Sequence, residues 1–168
     1  PLGSFLEGPS FDRDGNLYVV DIAHGRIFKI DPGGEFSVVA DYDGSPNGLK
    51  IHKDGRIFVA DRQNGIVEID PVNGKVSSYI GPDQLPGYKG VNDLFFASNG
   101  DLYFTDQGDS GLHDPTGRVF RQDGKGALHC LIDNVPSPNG LVMDPDETML
   151  YVAVTRTNSV WRMPFRQD

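Results

Sequence analysis

A fourfold internal repeat constrains the fold of this chain more than any other feature. Each repeat contains an apolar stretch, a turn, a strand of β-branched and aromatic residues, a short loop and another strand; the repeats begin at Glu7, Asn47, Asn92 and Asn139. These starts are 40, 45 and 47 residues apart, which is the period of a β-propeller blade. Because Asp-Gly and Asn-Gly turns favour hairpins and no helical periodicity competes, the sequence predicts an all-β propeller chain.

The repeats predict three complete blades and most of a fourth. A further short strand follows in the first three repeats, at 36–39, 76–80 and 128–132, whereas repeat four has none before Asp168. The expected blades cover about 5–44, 45–90, 91–137 and 138–168, as a single propeller region, and residues 1–4 read as a tag remnant. Phe5 and Leu6 are too few to complete the last blade. We therefore expect part of a larger ring, with a closed four-bladed ring as the alternative.

Composition and charge narrow the classes of partner. The 168 residues carry 15 Lys+Arg and 24 Asp+Glu, a net charge of −9, whereas nucleic acids and anionic membranes require a basic face. No apolar run approaches the roughly 20 residues of a bilayer span. The single cysteine, Cys130, excludes an intrachain disulfide, and its apolar strand predicts a buried thiol. We expect no nucleic-acid or membrane partner and a cytoplasmic location, with a periplasmic or secreted one left open.

The first residue of each repeat is a candidate ligand. The first residue of every inner strand of a propeller lies at the mouth of the central channel, so the four side chains should converge there. One carboxylate and three amides suit a hard divalent cation, Ca²⁺ first, with Mg²⁺, Mn²⁺ or Zn²⁺ as alternatives. The alternative reading is that Asn-Gly only starts a strand after a turn.

Three motifs resemble the gluconolactonase/regucalcin (senescence marker protein) family, and within it the bacterial calcium-dependent lactonases. They are Glu7-Gly8-Pro9 before Phe11-Asp12, Val91-Asn92-Asp93-Leu94 before Leu102-Tyr103-Phe104-Thr105-Asp106, and Pro138-Asn139-Gly140-Leu141. The resemblance covers residues 6–168 and implies a six-bladed propeller with one divalent metal at the channel mouth, bound by Glu7, Asn92 and Asn139. The family's other metal-binding carboxylate, an Asp of the fifth blade, has no counterpart in this sequence. The resemblance thus implies that the missing blades belong to a longer parent chain or to another chain.

The function implied by the resemblance is metal-dependent hydrolysis of lactones or similar esters. The metal would act as a Lewis acid on the lactone carbonyl, and a nearby carboxylate would activate water. Phosphotriester hydrolysis and a non-catalytic propeller module that binds a protein or a sugar are the alternatives. A recognition module would not need Glu and Asn at equivalent channel positions.

Asp93 and Asp106 are the predicted catalytic carboxylates. Asp93 adjoins Asn92, although the alternation of side chains along a strand points it away from the channel, and an inter-blade hydrogen bond is its other reading. Asp106 ends a strand on the face of the predicted ring.

Two long loops, 81–90 and 107–116, are expected on the same face as the ring, because successive strands alternate in direction. Both should overhang the channel mouth and shape the substrate pocket. By the same alternation of strand direction, the loop residues expected on the ring face are His24, Tyr88, Lys89, Asp109 and His113. Each of them also fits an ordinary solvent-facing role. The predicted substrate-binding residues are Asn47, Tyr88, Asn92 and His113.

Overall fold

A computed structural model of the chain describes residues 3–165, in which the strands form four antiparallel sheets. Sheet one contains β1 (Leu6–Phe11), β2 (Leu17–Asp21), β3 (Arg26–Ile30) and β4 (Phe36–Asp41). Sheet two contains β5 (Pro46–Ile51), β6 (Ile57–Asp61), β7 (Gly65–Ile69) and β8 (Val76–Ile80). Sheet three contains β9 (Val91–Phe96), β10 (Leu102–Asp106), β11 (Gly117–Gln122) and β12 (Leu128–Val135). Sheet four contains β13 (Pro138–Met143), β14 (Met149–Val154) and β15 (Ser159–Pro164).

The strand order in each sheet follows the order of the chain, as in a propeller blade. The predicted all-β chain of three complete blades and most of a fourth is therefore confirmed, and the number of six blades stays a prediction. Residues 1–2 of the predicted tag remnant and 166–168 of the fourth blade lie outside the described residues. In the described part of the chain, two 3₁₀ helices, Pro82–Gln84 and Thr155–Thr157, interrupt the connections. Among residues 3–165, no helix has the length and apolar character needed to cross a bilayer.

Aspartate side chains organise turns between strands, beside Asp-Gly pairs of the sequence. In the turn between β1 and β2, one oxygen of Asp12 accepts hydrogen bonds from the backbone N–H groups of Asp14 and Asn16, both at 2.9 Å. The turn between β11 and β12 repeats the pattern, because Asp123 accepts from Lys125 and Ala127 at 2.9 Å. A short acidic side chain satisfies the turn backbone locally, which favours these residues over longer polar ones.

The chain divides into two compact units, which meet in the sequence at Gly90 and Val91. In the first unit, sheets one and two share an apolar core; its fully buried members include Val20, Ile27, Leu49, Val59 and Ile69. In the second unit, sheets three and four do the same; the buried residues there include Tyr103, Val119, Leu141, Leu150 and Val152. Burial of apolar area between neighbouring sheets is thus the main stabilising contribution in each unit.

Cys130 departs from its predicted environment. The apolar residues around it predicted a buried thiol, but the side chain is exposed. The reason is that β12 is the edge strand of sheet three, so it pairs with β11 on one side only. An apolar run on an edge strand does not guarantee burial on both faces.

A β-bulge interrupts the first strand of every sheet near its start. Two residues of the first strand lie opposite one residue of the second strand: Gly8-Pro9 opposite Val19, Asn47-Gly48 opposite Ala60, Asn92-Asp93 opposite Thr105, and Asn139-Gly140 opposite Ala153. A bulge bends its strand and changes the direction of the side chains that it carries. The repeat therefore includes a backbone irregularity beside the predicted ligand positions.

Gly8 allows β1 to pass close to β5 within the first unit. Its φ is +59°, and a Cβ atom at this position would lie 2.5 Å from the backbone oxygen of Asn47 and 2.7 Å from the backbone nitrogen of Leu49. Neither backbone atom can move without disturbing β5. Glycine is therefore required here by the positive φ and also by the close approach of another strand.

We expect Gly8→Ala to lower the free energy of unfolding by about 3 kcal/mol or more, since it adds a clash to the strain of a positive φ. Gly55→Ala is the matched control, because Gly55 also has a positive φ, +91°, but no atom lies within 4 Å of the added methyl group. The control should cost about 1 kcal/mol. Urea denaturation of both variants measures the difference, and equal losses would show that the close approach is unimportant.

Candidate metal and substrate site

The four predicted ring residues occupy equivalent positions in the four sheets. The residue before each of them pairs with the last residue of the second strand: Leu6 with Asp21, Pro46 with Asp61, Val91 with Asp106, and Pro138 with Val154. Asn47, Asn92 and Asn139 are each the first residue of a bulge, whereas Glu7 still pairs with Val20 and its bulge follows. The repeat inferred from the sequence is therefore also a repeat in strand register.

Asn92 carries the most informative side chain of this set. The residue is 5% exposed, and its Nδ2 donates a hydrogen bond of 2.7 Å to Oε1 of Gln107. Its Oδ1 is buried and accepts no hydrogen bond from any of residues 3–165. A buried acceptor without a partner costs about 1–3 kcal/mol, so its presence in a native structure requires an explanation. A ligand atom or a cation bound at Oδ1 would supply one.

Gln107 connects Asn92 to the start of sheet four. Its Nε2 donates to Oγ of Ser137 at 2.7 Å, while the backbone N–H of Ser137 donates to Oγ of Ser110 at 3.1 Å. The Ser110 hydroxyl in turn donates to the backbone oxygen of Gln107 at 2.5 Å. These bonds form a closed network between the end of β10, the loop 107–116 and the residue before β13. Ser110 and Ser137 are both buried, so water competes little for these bonds.

Asp93 and Asn139 are brought together by Thr105 of β10. The Thr105 hydroxyl accepts a hydrogen bond from the backbone N–H of Asp93 at 3.1 Å and donates one to the backbone oxygen of Asn139 at 2.9 Å. A Cβ atom added to Gly140 would lie 3.5 Å from Oδ2 of Asp93. The second unit therefore places the Asp93 carboxylate beside the residue that follows Asn139.

The expectation that Asp93 points away from the channel assumed regular alternation along β9. That assumption is wrong at this position, because Asn92 and Asp93 together form the bulge opposite Thr105. Asp93 is half-buried, and its Oδ1 accepts the backbone N–H of Leu94 at 2.8 Å. Its catalytic role stays a prediction, and the alternation of side chains along a strand no longer argues against it.

Asp106 is completely buried and forms an ion pair with Arg118 on the neighbouring strand β11. Nε of Arg118 donates to Oδ2 of Asp106 at 3.0 Å, and Nη2 also bonds to this oxygen. The guanidinium stacks over the ring of Phe120, 4.8 Å from its centroid. A carboxylate held in this way is well suited to joining two strands, so its surroundings favour a structural role over a catalytic one.

The equivalent aspartates of sheets one and two also organise the backbone. Asp21 accepts from the backbone N–H groups of Phe5 at 3.1 Å and Ala23 at 3.2 Å, and its Oδ2 lies 2.9 Å from Nδ1 of His24. Burial raises the pKa of Asp21, but these hydrogen bonds outweigh it and hold the pKa below its ordinary value. The backbone N–H of Phe5 and the side chain of His24 thus stabilise the ionised form of this residue.

Asp61 has the same function in sheet two. Its Oδ1 accepts from the backbone N–H groups of Gln63 and Asn64 at 2.8 and 2.9 Å, and its Oδ2 accepts from Ser45 N–H and the Tyr42 hydroxyl at 2.9 Å. Burial, together with the negative charge of Asp61, raises the pKa of Tyr42 well above its usual range. The strand-end aspartate is therefore a repeated structural element in the first three blades.

The loop residues proposed for substrate contact differ in how they are held. The Tyr88 hydroxyl donates to the backbone oxygens of Asp61 at 3.0 Å and Arg62 at 2.9 Å, so it anchors the loop 81–90 at the end of β6. This is the end of sheet two at which Asn47 lies, since Pro46 pairs with Asp61. His113 is exposed in the loop 107–116. The other loop candidates, His24, Lys89 and Asp109, are also exposed.

Residues 3–165 contain no cluster of three or more His, Cys, Asp and Glu side chains that could hold a metal. The predicted donor set is of another kind, because it contains one carboxylate, that of Glu7, and otherwise amides. Gln107 is the functional candidate that the sequence did not reveal. Its position directly after the strand-end Asp106 was the available signal.

Known proteins resemble this chain over almost all of its length. The model of the family described as SMP-30/Gluconolactonase/LRE-like region matches residues 5–168. Lactonase drp35 of Staphylococcus epidermidis is 32% identical over 177 residues, covering 99% of this chain and 53% of the relative. Lactonase drp35 of Staphylococcus aureus is 31% identical over 172 residues with the same coverage. The chain thus spans about half the length of these relatives.

Solved structures show the same fold. A gluconolactonase from Xanthomonas campestris superposes with a TM-score of 0.85 at 24% identity, covering 98% of this chain and 59% of that chain. A regucalcin from Agrobacterium tumefaciens, described as a calcium-binding protein, gives a TM-score of 0.80 at 21% identity and covers 96% and 54%. At these identities the likeness establishes the propeller fold alone.

Proposed function

Because this chain belongs to the SMP-30/gluconolactonase/LRE-like family, as its motifs predicted, we propose that the protein is a divalent-metal-dependent lactonase. The observation that carries the proposal is the buried Oδ1 of Asn92, which has no hydrogen-bond partner among residues 3–165. A protein that uses Asn92 only to start a strand gains nothing from leaving this oxygen unpaired. The relatives named as lactonases support the reaction class.

The chemistry of the predicted donor set fits a hard cation. Glu7 would supply the negative charge, and Asn92 and Asn139 would supply neutral carbonyl oxygens, which are ligands that Ca²⁺ accepts readily. Zn²⁺ is less suited, because its usual sites contain nitrogen and sulfur ligands. Mg²⁺ and Mn²⁺ share the preference for oxygen. When bound, the metal would polarise the lactone carbonyl and stabilise the negative charge that develops on its oxygen.

Asp93 is our candidate for the group that takes a proton from the attacking water. Its Oδ2 lies beside Gly140, next to Asn139, and its Oδ1 is held by the backbone N–H of Leu94. A carboxylate fixed by its own backbone keeps one oxygen in a defined direction, as a general base requires. Asp106 is the weaker candidate, since Arg118 neutralises it.

We also propose substrate contacts for Asn47, Tyr88 and His113. Asn47 occupies the position of Asn92 in sheet two, so its amide is suited to hydrogen-bond a lactone hydroxyl or carbonyl. Tyr88 would present the face of its ring, because its hydroxyl is occupied by two backbone oxygens. His113 would contribute from an exposed loop.

Metal removal tests the proposal directly. We expect the protein, in the full length that its gene encodes, to hydrolyse members of a lactone panel, and chelation of its metal to reduce this hydrolysis by at least about 100-fold. When Ca²⁺, Mg²⁺, Mn²⁺ and Zn²⁺ are each added back alone, Ca²⁺ should restore the rate most and Zn²⁺ least. Metal analysis should find one ion per chain. An assay with a phosphotriester substrate, run in parallel, tests the alternative that the protein hydrolyses phosphotriesters. Lactonase activity that survives chelation, or no hydrolysis of any lactone by the metal-loaded protein, would contradict the proposal.

A further inference from the structure

We propose that Gln107 is a positioning residue, which fixes the Asn92 amide so that Oδ1, and not Nδ2, is presented to the bound ligand. The contact that carries this inference is the 2.7 Å hydrogen bond from Asn92 Nδ2 to Gln107 Oε1. The identity of the ligand rests on the proposed function, whereas the orientation of the amide does not.

An asparagine amide can present either of two chemically opposite ends. Rotation by about 180° about its last side-chain bond exchanges a hydrogen-bond acceptor for a donor with almost no change in shape. Only the carbonyl end binds a cation, because the NH₂ end would place positively polarised hydrogens against it. A site that uses Asn92 as a ligand therefore needs a device that selects one end.

Gln107 supplies that selection, because its Oε1 accepts hydrogen bonds and cannot donate. If the Asn92 amide were reversed, its Oδ1 would face Oε1 across the present 2.7 Å contact, and two acceptors would repel each other. Burial strengthens the preference, since Asn92 is 5% exposed and water cannot readily bridge the two oxygens.

Gln107 is itself held by a second contact. Its Nε2 donates to Oγ of Ser137 at 2.7 Å, and its backbone oxygen accepts the Ser110 hydroxyl at 2.5 Å. Reversing both amides together would place Gln107 Oε1 against Ser137, and the serine hydroxyl would have to rotate to donate to it. The two contacts therefore couple the orientations of the two amides, and a cation at Asn92 would favour the observed pair, because only that pair presents Oδ1 to it.

Two replacements of Gln107 distinguish the effect of its hydrogen-bond acceptor from the effect of its side-chain shape. Gln107→Met keeps the length of the side chain but removes the acceptor, so we expect the affinity for Ca²⁺ to fall by about 10- to 100-fold, the usual effect of losing a partner that orients a ligand. Gln107→Glu keeps the acceptor and should retain the affinity within about threefold of the original, or strengthen it. Gln122→Met is the matched control, because Gln122 is a half-buried residue at the opposite end of sheet three, and it should leave the affinity unchanged.

Two measurements test the inference in the full-length protein. Calorimetry with Ca²⁺ alone reports affinity, and NMR of the protein labelled with ¹⁵N-asparagine, without metal, reports hydrogen exchange of the Asn92 Nδ2 group. We expect this group to be protected in the original protein and in Gln107→Glu, and to exchange at least about tenfold faster in Gln107→Met. Should Gln107→Met fail to fold, Ser137→Ala removes the support of Gln107 and should give a smaller acceleration.

The exchange measurement keeps this inference separate from the proposed function. If the original protein binds no Ca²⁺ but its Asn92 amide loses protection in Gln107→Met, the metal proposal fails and the positioning role stands. If the protein is a metal-dependent lactonase but exchange and affinity are the same in the Met and original forms, Gln107 does not orient Asn92 and the inference is overturned.

Discussion

Replacing Glu7 by Gln will lower both the affinity for the divalent cation and the rate of lactone hydrolysis by about 100-fold or more. Glu7 is the single carboxylate among the four equivalent positions, which otherwise hold asparagine. Gln keeps the size of the side chain and one oxygen but removes the negative charge. Because the number of charged ligands largely determines the affinity of a Ca²⁺ site, the two losses should occur together.

Glu35→Gln is the control for this experiment. It makes the same chemical change in the same sheet, at an exposed residue between β3 and β4. We expect its affinity and turnover to equal those of the original protein. Calorimetry with Ca²⁺ measures the affinity, and initial rates at a Ca²⁺ concentration that just saturates the original protein measure the turnover. If Glu7→Gln turned over its lactone at the original rate without added metal, Glu7 would not be a ligand.

The repeat was predictable because each blade repeats the same local pattern. Strand residues of high β propensity alternate with Asp-centred turns, and both signals lie within about ten residues of one another. The extra strand of the first three blades followed from the same pattern, as β4, β8 and β12 show. A local pattern of strands and turns that is repeated three or four times can be recognised in a single sequence.

The bulges and the Gln107 network could not be predicted in the same way. A bulge depends on how two strands pair, and in β9 it arises because one extra residue lies opposite Thr105. The partners of Gln107 are Asn92 and Ser137, 15 and 30 residues away in the sequence. Contacts of that separation leave no local pattern, so the residue that holds Asn92 became visible only in the folded chain.

Asp106 illustrates why the role of a strand-end carboxylate is difficult to assign from sequence. Its place at the ring end of β10 predicted a catalytic residue, and sequence alone does not indicate where Arg118 lies. The pairing of β10 with β11 sets Asp106 opposite Arg118, and the same register sets Asp21 opposite Arg26 in sheet one. In sheet one the arginine instead pairs with the more exposed Asp41, at 2.8 Å. Equivalent arginines therefore form a buried ion pair in one blade and an exposed one in another.

This difference should make Asp106→Asn far more destabilising than the same replacement in the exposed pair. We expect it to lower the free energy of unfolding by about 3 kcal/mol, because it leaves the charge of Arg118 without its counterion in a buried position. Arg118 is 14% exposed and Asp106 is 0% exposed. Asp41→Asn is the matched control, and its loss should be below about 1 kcal/mol, since water screens an exposed pair. Arg26 and Asp41 are 34% and 57% exposed.

Urea denaturation and activity measured on the same samples distinguish a structural from a catalytic Asp106. If the ion pair holds β10 to β11, Asp106→Asn should retain at least roughly a tenth of the original turnover per folded molecule at a temperature where both proteins are folded. Replacing both partners, as Asp106→Leu with Arg118→Met, should recover much of the lost stability, because no buried charge then remains. Unchanged stability with a loss of turnover above about 100-fold would instead place Asp106 among the catalytic residues. A structural Asp106 would leave Asp93, which lies beside Gly140 in the same unit, as the carboxylate to test next for activation of water.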